Sequence, residues 1–486
     1  MYAFIKEHLW QILLGINYLL VIFFSIFIVL KNSHPIRTLS YLFALAALPF
    51  LGLLVYYFFG QDYRKHKIFE KKSVIDSAKL KEWRDSFEFT HKENKEFEEE
   101  FGEGVFKIYK LLQNNEKAVV TFNNKADILI NGEQKFKLLL RDLKAAESYI
   151  HMEYFIIVDD ELGKQILDIL CEKAKAGVEV RLIYDDVGSN ISSKIKRKLT
   201  DSGVEHHAFM PVIFTRFTSK FNYRDHRKIV VVDGKVGYVG GINLEKKYDN
   251  SFKNKFFWRD THLRLEGDAV GSLQSTFLLN WDFVSDSKLD IKKLIPKPLK
   301  EAKNTTAVQI VSSGPDTDWA SIMEALFSAI NSANDYIYVT SPYLIPNAEI
   351  LAALTTASRS GVEVKFIIPK DSDSWAAKYA TDSYIEQFLD SGIEVYRYTK
   401  GFVHAKTIVI DDNISSIGTA NLDYRSFSIN FEINAMLYDT KISSKMKKIF
   451  MEDLKDCEII DVERWKNRPL SKKLKESFNR LWAPLL

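Results

Sequence analysis

The sequence predicts an α/β protein built from two duplicated α/β/α sandwich halves. Their active site is expected at the interface between the halves, and a transmembrane helical hairpin is expected ahead of them. Three observations lead there. Segments with strand and helix periodicity alternate along most of the chain. Two stretches recur in matching surroundings: Gly177-Val178-Glu179-Val180 reappears as Gly361-Val362-Glu363-Val364, 184 residues later, and His226 reappears as His404, 178 residues later. The first 60 residues hold two long runs without a charged side chain.

Leu9–Leu30 has 22 uncharged positions. As a helix it spans about 33 Å, enough for the hydrocarbon core of a bilayer. Thr38–Gly60 adds a second uncharged run of 23 residues, and Pro35 sits in the short connection. The first run is too long for a signal-peptide core and lacks a small-x-small cleavage site, so it is expected to be retained. Lys31 and Arg37 lie between the runs, whereas Arg64, Lys65, Lys67, Lys71 and Lys72 follow the second. The positive-inside rule therefore puts the region after the hairpin in the cytoplasm of a two-span cell-membrane protein. These basic residues also suit anionic headgroups.

Lys71–Leu112 is charged, with an acidic centre at Glu93–Glu100, and reads as a solvated helical linker. In Ile128–Phe136, Asn131-Gly132 reads as a hairpin turn. The first half then runs through a helix around Lys137–Glu147, a strand Tyr149–Ile157, a helix Glu161–Ala176 and a strand Arg181–Tyr184. The second half repeats this as helix Trp319–Ser332, strand Tyr336–Thr340, helix Ala348–Ser360 and strand Lys365–Ile368. The expected division is 1–67 for the spans (about 9–30 and 38–60), 68–120 for the linker, and 121–300 and 301–486 for the halves.

The chemistry concentrates in the two recurring stretches. His226, Lys228 and Asp233 form H-x-K-x-x-x-x-D, followed by Gly240, Gly241 and Asn243. His404, Lys406 and Asp411 repeat it, followed by Gly418, Thr419 and Asn421. Residues two apart on a strand share a face, so each His projects with its Lys. The Ile/Val runs Ile229–Val232 and Thr407–Ile410 end at acidic turns and return as Val236–Val239 and Ile414–Ile417, which makes each motif a hairpin. One His in a hairpin is ordinarily structural. Two copies in matched surroundings carry a catalytic reading.

Facing one another, the copies assemble two imidazoles, two ammonium groups and two amides. Ammonium and amide groups suit the charge that builds on a phosphoryl group under attack. One imidazole can attack phosphorus, and the other can protonate the departing alkoxide. No metal and no cofactor are called for, because Lys228 and Lys406 supply the positive charge. Asn243 and Asn421 are candidate phosphate-binding amides. Asp233 and Asp411 enter the candidate catalytic set with the motif, although their place at the turn also suits a structural role. Asp260 and Glu432, each about one hairpin downstream, are the candidates for orienting the imidazoles.

At these residues the chain resembles the phospholipase D superfamily, whose mark is the paired H-x-K-x-x-x-x-D. The stretches FWRDTHLRLEG from Phe257, SPYLIP from Ser341 and NLDYRSFSINFE from Asn421, with the apolar hairpin, are similar to bacterial cardiolipin synthases. The resemblance covers essentially the whole chain. It implies two phospholipase D-like halves, a covalent phosphatidyl-histidine, and a lipid hydroxyl as acceptor. The implied reaction joins two phosphatidylglycerol molecules into cardiolipin and glycerol. His226 is taken as nucleophile and His404 as general acid; near-symmetry leaves the reverse open. Hydrolytic phospholipase D or another phosphatidyltransferase is the nearest alternative, and a non-catalytic lipid-binding protein the one from another class. A net charge of +3 argues against a nucleic-acid partner. Cys171 and Cys457 are far apart, which fits a reducing compartment. Two apolar stretches stay open between core packing and membrane contact: Ala208–Phe221 and the tail Lys472–Leu486.

Overall fold

The computed structural model describes residues 8–30, 35–48, 50–53, 56, 80–116, 118–211, 223–285, 289–298 and 306–483. The chain divides into two units, Met1–Lys71 and Lys72–Leu486.

In the first unit, Leu9–Leu30 is one helix, and among the described residues it alone is long and apolar enough to cross a membrane. A second helix, Pro35–Ala47, packs on it through Val21, Ile28 and Leu45. The side-chain oxygen of buried Asn17 accepts the Phe50 N–H at 2.9 Å, so a polar group inside an apolar helix serves a backbone donor just past the end of the second. Most of the second uncharged run beyond residue 53 lies outside the described residues.

The second unit holds two mixed sheets with the same central strand order. In the seven-stranded sheet the order is Asn124–Ile130, Thr261–Gly267, Val236–Gly240, Lys228–Val232, Tyr149–Tyr154, Glu179–Asp185, Glu205–Phe209. In the nine-stranded sheet the equivalent run is Ala307–Ser313, Glu432–Tyr438, Ile414–Gly418, Thr407–Ile410, Tyr336–Thr340, Glu363–Pro369, Glu394–Tyr398, with Val120–Thr121 and Cys457–Ile459 added at the edges. Val120–Thr121 pairs with Ala307–Ser313, so these residues join the second sheet although they precede the first in the chain.

The Ile/Val runs show why the sheets form here. Ile229 and Val231 face a core shared by both halves with Val409, Ile417, Ile433 and Leu437, while Val230 and Val232 face the outer core of the first half. With both faces covered, a strand reads as continuously apolar. Each fully buried Ile or Val contributes about 1.5–3 kcal/mol. The shared core is what brings the two motifs together.

Two local expectations are corrected. Asn131-Gly132 is not a hairpin turn but the junction where strand Asn124–Ile130 passes into helix Asn131–Ala145. Asn131 sits at φ 62°, its N–H donates to the Asp260 carbonyl at 2.9 Å, and its side-chain oxygen accepts the Asp260 N–H at 3.1 Å. The helical spacing of Phe136, Leu139 and Leu143 then takes over. A side chain at Gly132 would strike the Tyr248 carbonyl.

The charged segment before the halves is not a solvated linker where it is described. Helix His91–Glu116, opened by reciprocal bonds between Thr90 and Glu93 and kinked at Gly102, buries Phe97, Val105, Ile108, Tyr109 and Leu112 in the core of the second half. The acidic run masks this face in the sequence, because Lys92, Lys95, Glu96 and Glu99 lie on the exposed side in i,i+4 ion pairs. Of the Ala208–Phe221 stretch, residues beyond 211 lie outside the described residues.

Candidate active site

Each histidine is held by the other half. Asp225 pairs with Phe431 in a parallel bridge, and the His226 N–H donates to the Phe431 carbonyl at 2.9 Å. Reciprocally, Gly401–Val403 pairs with Phe257–Arg259, and the His404 N–H donates to the Arg259 carbonyl at 2.7 Å. The carboxylate that follows each tether meets the tethered ring: His226 Nδ1 lies 2.9 Å from Glu432 Oε2, and His404 Nδ1 lies 2.8 Å from Asp260 Oδ2. The pairs cross between the halves. In each ring Nδ1 is thereby occupied, which leaves Nε2 for chemistry.

Both carboxylates are fully buried and held in turn. Glu432 accepts the Thr419 hydroxyl at 2.5 Å on the oxygen that holds His226, and the Asn430 amide at 3.2 Å on the other. Asp260 accepts the Thr261 N–H at 2.7 Å. Gly241 stands where Thr419 stands in the second copy, and a side chain there would collide with Asp260. The Gly-to-Thr difference between the motifs thus marks different support for the two carboxylates. Arg227 donates to the Glu432 carbonyl, and Arg259 donates to the Asp260 carbonyl while gripping Asp453 with two bonds of 2.7 Å.

Lys228 Nζ donates to the His226 carbonyl at 2.6 Å, and Lys406 Nζ to the His404 carbonyl at 2.5 Å. Burial pulls Lys228 down to about 7 and Lys406 to about 8, against the pull of Glu432 and Asp260. Burial also lowers His226 to about 4 and drives His404 well below its usual range. Glu432 stays below the usual carboxylate range: burial pushes it up, but His226, Lys228 and Thr419 outweigh this. Burial raises Asp260 to about 6, opposed by Lys406 and the Thr261 N–H. At neutral pH both imidazoles are therefore neutral and both carboxylates charged, while Lys406 is mostly protonated and Lys228 about half so, and the His226 lone pair is available.

Asn243 is buried with its amide donating to the Tyr248 hydroxyl at 2.8 Å, and Tyr248 stands edge-on to His404 at 5.9 Å. Asn421 Oδ1 is buried without a hydrogen-bond partner among the described residues. Aromatic rings that the sequence reading did not single out line the site: Phe155 against His226, and Trp258 and Phe402 against His404. Apart from its place beside Asp260, Trp258 carried no readable signal, because the neighbours arrive from the other half.

Asp233 and Asp411 depart from the catalytic expectation. Asp233 accepts the N–H groups of Glu147, Ser148 and Tyr149 at 2.7–2.9 Å, and Asp411 accepts those of Asn334, Asp335 and Tyr336 at 2.6–3.0 Å. Both sit at positive φ (53° and 49°) in the hairpin turn, and each clamps the start of the neighbouring strand. Asp233→Ala should lower unfolding stability by about 2 kcal/mol, since charge-assisted bonds to three backbone donors are lost. It should leave turnover per folded molecule within about threefold, because the carboxylate touches no reacting group. Urea denaturation beside an activity assay at low temperature checks both. A loss of activity in a fully folded variant would return Asp233 to the catalytic set.

The comparisons agree with this geometry. The family described as "Cardiolipin synthase, PLD-like domain" matches residues 139–263 and 326–454, and "Phospholipase_D-nuclease N-terminal" matches residues 19–61. Among curated relatives, cardiolipin synthase 2 of Bacillus anthracis is 39% identical over 462 residues, 94% of this chain and 88% of that one. The cardiolipin synthase of Alkalihalophilus pseudofirmus is 40% identical over 467 residues, 96% of this chain and 92% of that one. The major cardiolipin synthase of Bacillus subtilis is 38% identical, covering 98% of this chain and 99% of that one. Among solved structures, phosphatidylserine synthase of Haemophilus influenzae shares the fold at TM-score 0.60 with 16% identity, covering 78% of this chain and 100% of that chain. Two half-sites on one duplicated α/β frame, matched over nearly the whole length of such relatives, mean that the chain belongs to the cardiolipin synthase family of the phospholipase D superfamily.

Proposed function

We propose that the chain joins two phosphatidylglycerol molecules by a double displacement. His226 Nε2 attacks the phosphorus of the first, the P–O bond to the headgroup glycerol breaks, and the leaving oxygen takes a proton from His404 Nε2. Free glycerol departs and phosphatidyl-His226 remains. Neutral His404 then accepts the proton of a headgroup hydroxyl on the second phosphatidylglycerol, whose oxygen attacks phosphorus and releases His226. The product is cardiolipin, and both rings return to their starting state.

The exchange of partners between the halves carries this reading. Each imidazole has a buried carboxylate on Nδ1 and a buried ammonium beside it, which a merely structural histidine does not need. The better-held carboxylate, Glu432, favours His226 as nucleophile, since the phosphorylated ring carries positive charge. His404 becomes protonated only with the anionic phosphodiester in the site, whose negative charge favours the imidazolium. Lys228, Lys406, Asn243 and Asn421 bind the phosphoryl oxygens in this scheme.

Two membrane spans, 9–30 and 38–60, and a cytoplasmic catalytic region belong to the same proposal. The apolar helix Leu9–Leu30 and the basic residues after position 60 support it. The basic residues also draw anionic lipid. Resistance of the catalytic region to protease added outside intact cells tests the orientation.

Labelled phosphatidylglycerol added to the full chain in detergent, without metal, should yield cardiolipin and glycerol by mass spectrometry. Phosphatidic acid alone would make the protein a hydrolase, and no product would remove the proposal. In the same assay kcat/KM should fall as pH rises through about 7 to 8. Lys228 and Lys406 are depressed, so each is charged below its value and neutral above it, and the empty site loses its hold on phosphate at high pH. An alkaline limb beginning above pH 10 would contradict this.

A further inference from the structure

The C-terminal helix Leu470–Arg480 is built inside out for a soluble domain. The face turned to the protein is polar: Glu476 and Asn479 are buried, and Glu476 is gripped by Arg468, which also holds Glu386. The face turned outward is apolar. Leu470, Leu474 and Phe478 follow one another at i, i+4, i+8, Leu481 continues the line, and they are 71, 62, 59 and 74% exposed. Trp482 lies at the end of the same stripe, 49% exposed. Four large apolar side chains held in water on one line stabilise nothing in the folded domain.

The flanks indicate what covers that line. Lys473 and Lys475 border it, while Lys472 and Arg480 fold back over Trp465 and Tyr384, and the helix's single acid, Glu476, is buried and paired. An apolar stripe with basic flanks is the pattern of a helix lying in the surface of an anionic bilayer, with lysine stems along the acyl boundary and heads among phosphates. A protein partner would need its own acidic rim around an apolar groove. A phospholipid surface offers both, and it is where the substrate lies.

The stripe also connects to the site. Lys475 Nζ stands 5.9 Å over the Tyr379 ring, Tyr379 packs on Trp375 at 5.1 Å, and Trp375 is 61% exposed. Two residues before Trp375, Asp373 accepts the Tyr343 hydroxyl at 2.7 Å, and its charge acts on His404 and Lys406. A succession of contacting side chains thus leads from the helix toward the histidine site.

We propose that helix Leu470–Arg480 docks in the interfacial plane of an anionic phospholipid bilayer, and with Trp375 sets the catalytic mouth against the surface from which substrate enters. The proposal rests on the lipid-substrate reading above, but its quenching test does not depend on activity. The full chain, with Cys171→Ala and Cys457→Ser, carries an environment-sensitive fluorophore at Phe478→Cys and is reconstituted into vesicles of phosphatidylglycerol and phosphatidylcholine brominated near the headgroup end of the acyl chains. A probe at Lys164→Cys, an exposed position on the first half, is the reference.

Brominated lipid should quench the probe at 478 about threefold or more over the reference, and iodide in the water should quench it less. Leu474→Glu with Phe478→Glu should lower turnover of bilayer phosphatidylglycerol about tenfold and leave turnover of a water-soluble short-chain analogue unchanged. Both substitutions are on the exposed face, so the fold is kept. Equal quenching at 478 and 164, or a probe shielded from iodide yet untouched by brominated lipid, as a second copy of the chain would produce, overturns the proposal. An enzyme that made no cardiolipin would leave the quenching result standing by itself.

Discussion

His226→Ala should lower cardiolipin formation by about 10⁴-fold or more, with no phosphatidyl-enzyme detectable on rapid quenching. The size follows from what is lost. Without the imidazole there is no atom to take the phosphatidyl group, and the two-step route closes. The alternative is direct attack by the second lipid, in a site whose base lies on the leaving-group side. His404→Ala should be comparably slow on phosphatidylglycerol, because an alkoxide would have to leave without a proton. The two variants separate on a phosphatidyl ester of p-nitrophenol, whose leaving group departs unprotonated. His404→Ala should recover most of the first-step rate on it and accumulate phosphatidyl-His226, while His226→Ala should stay inactive. The opposite pattern would exchange the two roles. Equal activity of either variant with the wild type would remove the two-histidine mechanism altogether.

Glu432→Gln should lower kcat by about 10²- to 10⁴-fold with little change in KM. Glu432 accepts from His226 Nδ1, from the Thr419 hydroxyl and from the Asn430 amide, and it is fully buried. A Gln there has one acceptor oxygen and one donor nitrogen. With the nitrogen toward His226, the ring must carry its proton on Nε2 and offers no lone pair to phosphorus. With the oxygen toward it, the tautomer survives, but the negative charge that steadies the phosphorylated ring is gone. Thr419→Val removes one support only and should cost about tenfold. Asp260→Asn acts on His404 instead, so the p-nitrophenyl ester should feel it least. Single-turnover formation of the phosphoenzyme distinguishes the cases. A Glu432→Gln enzyme that forms it at the wild-type rate would show that the carboxylate only holds the halves together.

Sequence alone determined the parts that depend on local pattern. The β-branched runs ending in Asp233-Gly234 and Asp411-Asp412 make hairpins, and the recurrence of both blocks makes two halves, although His226, His404 and Lys406 lie just ahead of the strands whose period predicts their pairing. Period and turn preference act over a few residues, so they can be read without a fold. Other features were settled only by tertiary contacts. The motif aspartates serve three backbone donors each, on strands some 75–86 residues away in the chain. Asn131 uses turn chemistry to start a helix because the Asp260 backbone is there to receive it. Helix His91–Glu116 hides an apolar face under its acids, and helix Leu470–Arg480 buries its polar side, which no periodicity rule distinguishes from the reverse. Above all, the crossing of His226 to Glu432 and His404 to Asp260, 206 and 144 residues apart, comes from two sheets docking through one shared core. Spacing along the chain specifies which residues share a strand face; only burial of the Ile229/Val231 and Val409/Ile417 surfaces against each other decides which carboxylate meets which imidazole.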